Sequence, residues 1–228
     1  MVFDLHAHTC YSGCGRDAMQ DLVQTAVDHG IALFGISDHN YGIGARKAQY
    51  IRDVRNVAAR FEEKTQVLCG MEIATLPHLF DIADPAEIAA CDYVLLEHID
   101  HEESLAWEDL FGFCARLGVL CGIAHTDLFA YCEKRGYEPH AFFAELAKYG
   151  VFWEMNVNYD SIHGYREHAY VQRMMDSPWQ QAVLREAGTV VSVGFDGHRM
   201  EEYNGERVRR MCAFLNEQGI RTADTLFR

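Results

Sequence analysis

The sequence predicts an α/β protein of parallel strands joined by crossover helices. A unit of amphipathic helix, glycine and buried strand repeats along the 228 residues. Seven strand-like runs alternate with helices, the pattern that parallel pairing requires. Histidines and carboxylates gather at the C-terminal ends of those runs instead of scattering over the loops. The spacing of the units suits a closed βα barrel better than an open sheet, and in such barrels the C-terminal face carries the active site.

The first strand begins at Phe3-Asp4-Leu5 and runs into His6-Ala7-His8. Alternate residues of an extended chain point the same way, so two imidazoles about 7 Å apart can close on one metal ion. Met19, Leu22, Val23, Ala26 and Val27 form a helical stripe between an Asp17 N-cap and Gly30. The strand over 31–36 ends in Ser37-Asp38-His39. A helix over about 45–63 places Ile51, Val54, Ala58 and Phe61 on one face. The strand 66–70 runs into Met71-Glu72, and after a short helix near 85–90 the strand 92–96 ends at Glu97-His98.

A helix over 104–117 is closed by Gly118, and the strand 119–124 ends at His125-Thr126-Asp127. Pro139 opens the next helix and Gly150 closes it. The following strand leads to Glu154 and Asn156, both facing the presumed site; Glu154 reads as support for a histidine or as a pocket wall. The stretch 158–168, with Tyr159, Tyr165 and Arg166, reads either as a substrate-recognition loop or as a surface excursion. After a helix ending near Gly188, the strand 189–193 leads through Gly194-Phe195 to Asp196-Gly197-His198. The last helix carries Val208, Met211, Cys212 and Leu215, and the tail over 220–228 takes no assignment.

The composition is that of one soluble globular domain spanning 1–228. No apolar run is long enough to span a membrane, and the N-terminus lacks the regions of a secretory signal. A net charge of −14 disfavours an extended nucleic-acid partner or an anionic membrane surface. It leaves an anionic substrate open, because bound cations invert the local field. Eight cysteines, several inside apolar runs, read as reduced thiols in a cytoplasmic protein.

The ordered set His6-Ala7-His8, Ser37-Asp38-His39, Gly70-Met71-Glu72, His98, Ala124-His125 and Asp196-Gly197-His198 resembles the polymerase-and-histidinol-phosphatase (PHP) family of metal-dependent phosphoesterases. The resemblance covers the chain from Asp4 to about Arg199. It implies a distorted, TIM-like (β/α)7 barrel with two or three divalent ions, zinc, manganese or iron, at its C-terminal mouth. His6, His8, Glu72 and Asp196 would hold the first ion. Glu72 would bridge to a second, held also by His98 and His125. His39 and His198 would hold a third. Many three-metal relatives have a histidine six residues after the second histidine of the first motif. Here that place is Cys14, which is either a thiolate ligand suited to zinc or ferrous iron or a free thiol nearby. His98 is preferred to His101 because it directly ends its strand.

The expected chemistry is attack of a metal-activated water on a small phosphomonoester, histidinol-phosphate-like or a nucleotide phosphate. Asp38, His198 and Asp127 are candidate leaving-group acids, and Arg199, Arg166 and Asn156 candidate substrate contacts. One alternative is a metal-dependent C–N hydrolase of the amidohydrolase type. Against it, Lys47, Lys64, Lys134 and Lys148 all fall in helices or loops, away from a bridging position. The other is a non-catalytic, metal-stabilised docking module.

Overall fold

The computed structural model describes residues 1–158 and 169–227; Arg166, Tyr159 and Tyr165 lie outside them. The strands are β1 (Phe3–Asp4), β2 (Leu33–Ile36), β3 (Gln66–Cys69), β4 (Glu72–Ala74), β5 (Val94–Glu97), β6 (Cys121–Ile123), β7 (Phe152–Asn156), β8 (Val190–Gly194) and β9 (Arg221–Thr222). They form two parallel sheets, ordered β1-β2-β3 and β4-β5-β6-β7-β8-β9. The helices are α1 (Met19–Asp28), α2 (Asn40–Ile43), α3 (Lys47–Phe61), α4 (Leu110–Leu117), α5 (Leu128–Arg135), α6 (Pro139–Lys148), α7 (Ala169–Asp176), α8 (Pro178–Ala187) and α9 (Gly205–Glu217). None of them is long and apolar enough to cross a membrane.

Backbone hydrogen bonds tie the two sheets together at both seams. On one side Leu5 N donates to Val193 O (2.9 Å), Asp196 N to His6 O (2.7 Å) and His8 N to Gly197 O (2.8 Å). On the other, β3 hands over to β4 at Gly70-Met71. Gly70 N still donates to Ile36 O (2.7 Å), while Leu95 N already donates to Met71 O (2.9 Å). Glu72 is therefore the first residue of a new strand, not the end of the previous one.

Large rings fill the space beneath the C-terminal ends. Tyr93 and Phe152 are fully buried with ring centroids 6.1 Å apart, and Tyr93 Oη donates to Leu5 O (2.5 Å). Glycines on the neighbouring strands make the room. A Cβ on Gly35 would meet Tyr93 Oη at 2.0 Å, one on Gly70 would meet Tyr93 Cζ at 2.4 Å, and one on Gly122 would meet the Phe152 ring at 2.1 Å. Outside, helices cover the apolar faces of the strands.

Several elements differ from expectation for local reasons. The helix expected over 45–63 is α3, and Gly44, with a φ of 56°, separates it from the short α2 before it. The helix expected from 104 starts at Leu110, because the Asp109 side chain caps it by accepting from Gly112 N (2.8 Å). α5 had no counterpart in the expected elements; Asp127 caps it through Ala130 N (3.1 Å). The unassigned tail supplies β9 and a 3-10 turn over Ala223–Phe227.

Because Tyr93 is fully buried and cannot swing away, Gly70→Ala is expected to cost about 1–3 kcal/mol through overpacking. Urea denaturation should show the midpoint falling with little change in slope.

Candidate metal centre

The backbone brings the donors together from the ends of five strands and the start of β4. His6 and His8 follow β1, and the bridge between Ala7 and Gly197 pins that segment beside the chain leaving β8. His39 follows β2 and is bridged to Glu72. Glu97 ends β5, His125 follows β6, and Asp196 and His198 follow β8. Asp196 takes a left-handed backbone (φ 55°), uncommon for a residue with a Cβ, and so turns its carboxylate back over the sheet.

One nitrogen of each of three rings is tied down. His6 Nδ1 donates to Glu154 Oε1 (2.7 Å), and the other Glu154 oxygen accepts from His125 N (2.7 Å). His198 Nδ1 donates to Asp196 O (2.9 Å). His8 Nδ1 meets Ser12 Oγ at 3.1 Å. The Ser12 hydroxyl donates to Asp38, so it accepts from His8 and fixes the proton on Nδ1. Asp38 also accepts from Thr9 N and Thr9 Oγ1 (both 2.7 Å) and from Ser12 N (3.0 Å).

The free ring nitrogens point inward. His6 Nε2 and His8 Nε2 are 3.0 Å apart, each is 3.3 Å from Glu72 Oε2, and His8 Nε2 is 3.1 Å from Asp196 Oδ1. His125 Nε2 reaches Glu72 Oε1 (2.9 Å), and His39 Nδ1 lies 2.9 Å from Glu72 Oε2. Four sets of donors fall within 4.8 Å of one another: His6/His8/Asp196, His6/Glu72/His125, His39/Glu72/Glu97, and His8/Cys14/His39/His198. Asn156 Nδ2 donates to Asp196 Oδ2 (3.3 Å) and steadies that carboxylate.

This donor set fits divalent cations. With both Nδ1 atoms engaged, the two Nε2 atoms at 3.0 Å need a positive charge between them, a proton on His6 or a metal ion. Among the described residues, every ion pair of Glu72, Glu97, Glu154 and Asp196 is with a histidine, never with Lys or Arg. Burial opposes protonation of His6 and His39, yet the carboxylates around them, Glu154 and Glu72 foremost, hold both well above the usual histidine range. Burial would also raise Glu72 and Asp196, but the adjacent histidines hold both well below the carboxylate range. His8 goes the other way: burial and the neighbouring His39 push it down to about 3, which keeps it neutral. Protons thus do here what a metal ion does on binding, and binding would release them.

Not every expected residue joins the centre. His98 is in none of the four donor sets; its backbone is left-handed (φ 64°), and Glu97 stands at the centre in its place. Asp38 is spent on Thr9 and Ser12 and acts through His8, so it holds a ligand and does not face a leaving group. Asp127 caps α5 and pairs with Arg173, so it too is occupied elsewhere. Arg199 pairs with Glu202 (3.4 Å). Glu154 is the histidine support that its strand position suggested.

The sequence profile of the PHP domain matches residues 4–185. No curated protein matches the chain. The crystal structure of histidinol phosphate phosphatase from Lactococcus lactis subsp. lactis Il1403, complexed with zinc, L-histidinol and phosphate, is similar in fold. Its TM-score is 0.62 at 13% identity, over 96% of this chain and 94% of that one. Looser likenesses, each with TM-score 0.42 and 11% identity, are to an uncharacterized B. cereus protein (84% of this chain, 47% of that one) and to a truncated 3-deoxy-D-arabino-heptulosonate 7-phosphate synthase from Thermotoga maritima (96% and 89%).

Glu154→Gln keeps the shape but removes the charge that orients His6, and should weaken metal affinity about 10–100-fold, read by chelator competition. Burial would raise the Cys14 thiol, but contacts with His198 and His39 bring it down to about 7. In the metal-free protein its alkylation rate should therefore be half-maximal at a pH of about 7 and level off one to two units above, as the thiolate fraction saturates.

Proposed function

The chain belongs to the PHP domain family of metal-dependent phosphoesterases, and from that premise we propose that it hydrolyses a small phosphomonoester, histidinol-phosphate-like or a nucleotide phosphate. The observation that carries this reading is the convergence of His6, His8, Glu72 and Asp196 on one point with no lysine or arginine among the described residues to balance the carboxylates. The neighbouring fold binds zinc with L-histidinol and phosphate, which supports a substrate of that size. We take the two sheets as one distorted (β/α)7 barrel forming a single domain over 1–228; the backbone bonds across both seams support that.

In this reading His6, His8, Glu72 and Asp196 hold one divalent ion and Glu72 bridges to a second, approached by His125. Cys14, His39 and His198 stand ready for a third. The ions would lower the pKa of a water and neutralise charge on the phosphoryl oxygens. The protein holds the donors in place. Glu154 fixes His6, the Asp38–Ser12 relay fixes the tautomer of His8, and Asn156 aims Asp196. His198, with Nδ1 tied to Asp196 O and Cys14 against its ring, is assigned to the donors and not to proton transfer.

The amidohydrolase alternative lacks its bridge. Lys47 pairs with Asp81 (3.1 Å), Lys148 with Glu145 (3.0 Å), and Lys134 lies over the Trp107 ring, so none of these reaches Glu72. All eight cysteines are free thiols, in keeping with a reducing compartment such as the cytoplasm.

Protein purified without chelators should carry two or three divalent ions per chain by elemental analysis, with one fewer in Cys14→Ala if the thiol ligates. It should release phosphate from a panel of small phosphomonoesters. Glu72→Ala and His8→Ala should lose ions and at least about a thousandfold in kcat. Phosphate release that survives complete metal loss would refute the reading.

A further inference from the structure

We propose that Glu97 is a metal ligand, and that with His39 and Glu72 it makes one position of the centre rich in oxygen and selective for a harder ion than its neighbour. This rests on the phosphoesterase reading above and deepens it.

The register of the sheet puts Glu97 there. Glu72 pairs with Leu95 and Ala74 with Glu97 across β4 and β5, so Glu97 shares the inward face with Glu72, one pleat further toward the C-terminal end. Tyr93 and Leu95, four and two residues before it, lie on that same face. The residue is only 4% exposed, yet Oε1 has no hydrogen-bond partner among the described residues. Neither has Glu72 Oε2 or His39 Nδ1. These three atoms nevertheless crowd together, His39 Nδ1 lying 2.9 Å from Glu72 Oε2 and 3.2 Å from Glu97 Oε1. Leaving such groups unsatisfied in the interior is costly, and three of them pointing at one spot are satisfied together by a cation.

Glu154 shows what a supporting carboxylate looks like in the same fold. Both of its oxygens have donors, His6 Nδ1 and His125 N. Glu97 Oε1 has none and faces the centre, so Glu97 is not a second support of that kind.

The donor types then separate two positions. His39, Glu72 and Glu97 offer one nitrogen and two carboxylates, a set that suits manganese; Cys14 and His198, from the neighbouring set, offer a thiol and an imidazole, which suit zinc.

The test is metal binding, not turnover. Metal-free protein is given equal Mn2+ and Zn2+, bound ions are counted by elemental analysis, and Mn2+ affinity is read from the electron paramagnetic resonance signal of the free ion. Wild type should hold both metals. Glu97→Gln should lose at least tenfold in Mn2+ affinity while zinc still shields Cys14 from alkylation. His98→Gln should keep its Mn2+. If Glu97→Gln does not fold, Glu97→Asp, which keeps the charge and withdraws the oxygen, carries the same comparison. Loss of Mn2+ in His98→Gln with retention in Glu97→Gln overturns the assignment, and zinc filling both positions overturns the selectivity. Wild type that binds neither ion would instead remove the phosphoesterase reading beneath it.

Discussion

The structure depends on an electrostatic constraint: buried carboxylates that no lysine or arginine among the described residues neutralises. Glu72, Glu97, Glu154 and Asp196 are withdrawn from water at the C-terminal ends of the strands, where isolated charge is expensive. Their partners are imidazoles, which balance them only by taking protons, as His6 and His39 do. Such an arrangement is stable without metal only in a narrow protonation state. Divalent ions relieve it at any pH where the ligands are deprotonated, which ties the chemistry of the centre to the integrity of the fold.

What lies below the centre exists to hold it still. Phe152, Glu154 and Asn156 alternate along one face of β7, so a single strand supplies a core ring, a histidine support and a contact to Asp196 at successive depths. The Tyr93 and Phe152 rings fill the space that Gly35, Gly70 and Gly122 leave, and Tyr93 bonds to the carbonyl just before His6. A ring too large for its strand's neighbours would lift β1 and with it both histidines. Small residues on three strands are thus the condition for placing His6 and His8 correctly.

Much of this was legible in the sequence. Helix–glycine–strand repeats announced the parallel α/β architecture, and functional residues after each strand located the mouth. The failures share a cause. His98 reads as directly ending its strand, whereas the alternation Tyr93, Leu95, Glu97 puts Glu97 on the inward face, on which the proposal for Glu97 rests. Asp38 stands beside His39 in the sequence and so reads as a candidate acid. Its actual contacts, Thr9 and Ser12, lie on a different loop that no local pattern connects to it. Asp127 closely follows a strand and reads as a candidate acid, but an aspartate immediately before an apolar run is also a helix cap, and α5 follows it. The break between β3 and β4 leaves no mark in the sequence beyond Gly70, since both halves read as one extended run.

The acidic surface and an anionic substrate are reconciled at short range. A net charge of −14 spread over the molecule is screened beyond about 10 Å in ordinary salt. The substrate therefore responds to the charge at the mouth. There the anionic groups are Glu72, Glu97, Glu154, Asp196 and, once deprotonated, Cys14. Two divalent ions would not quite cancel five negative charges, and a phosphomonoester dianion would meet weak repulsion. Three would leave the mouth positive. In the proposed centre the thiol would let a third position hold an ion without a further carboxylate. Its replacement by alanine therefore bears on substrate capture as well as on the metal count, and a rise in KM larger than the fall in kcat would be the signature of that effect.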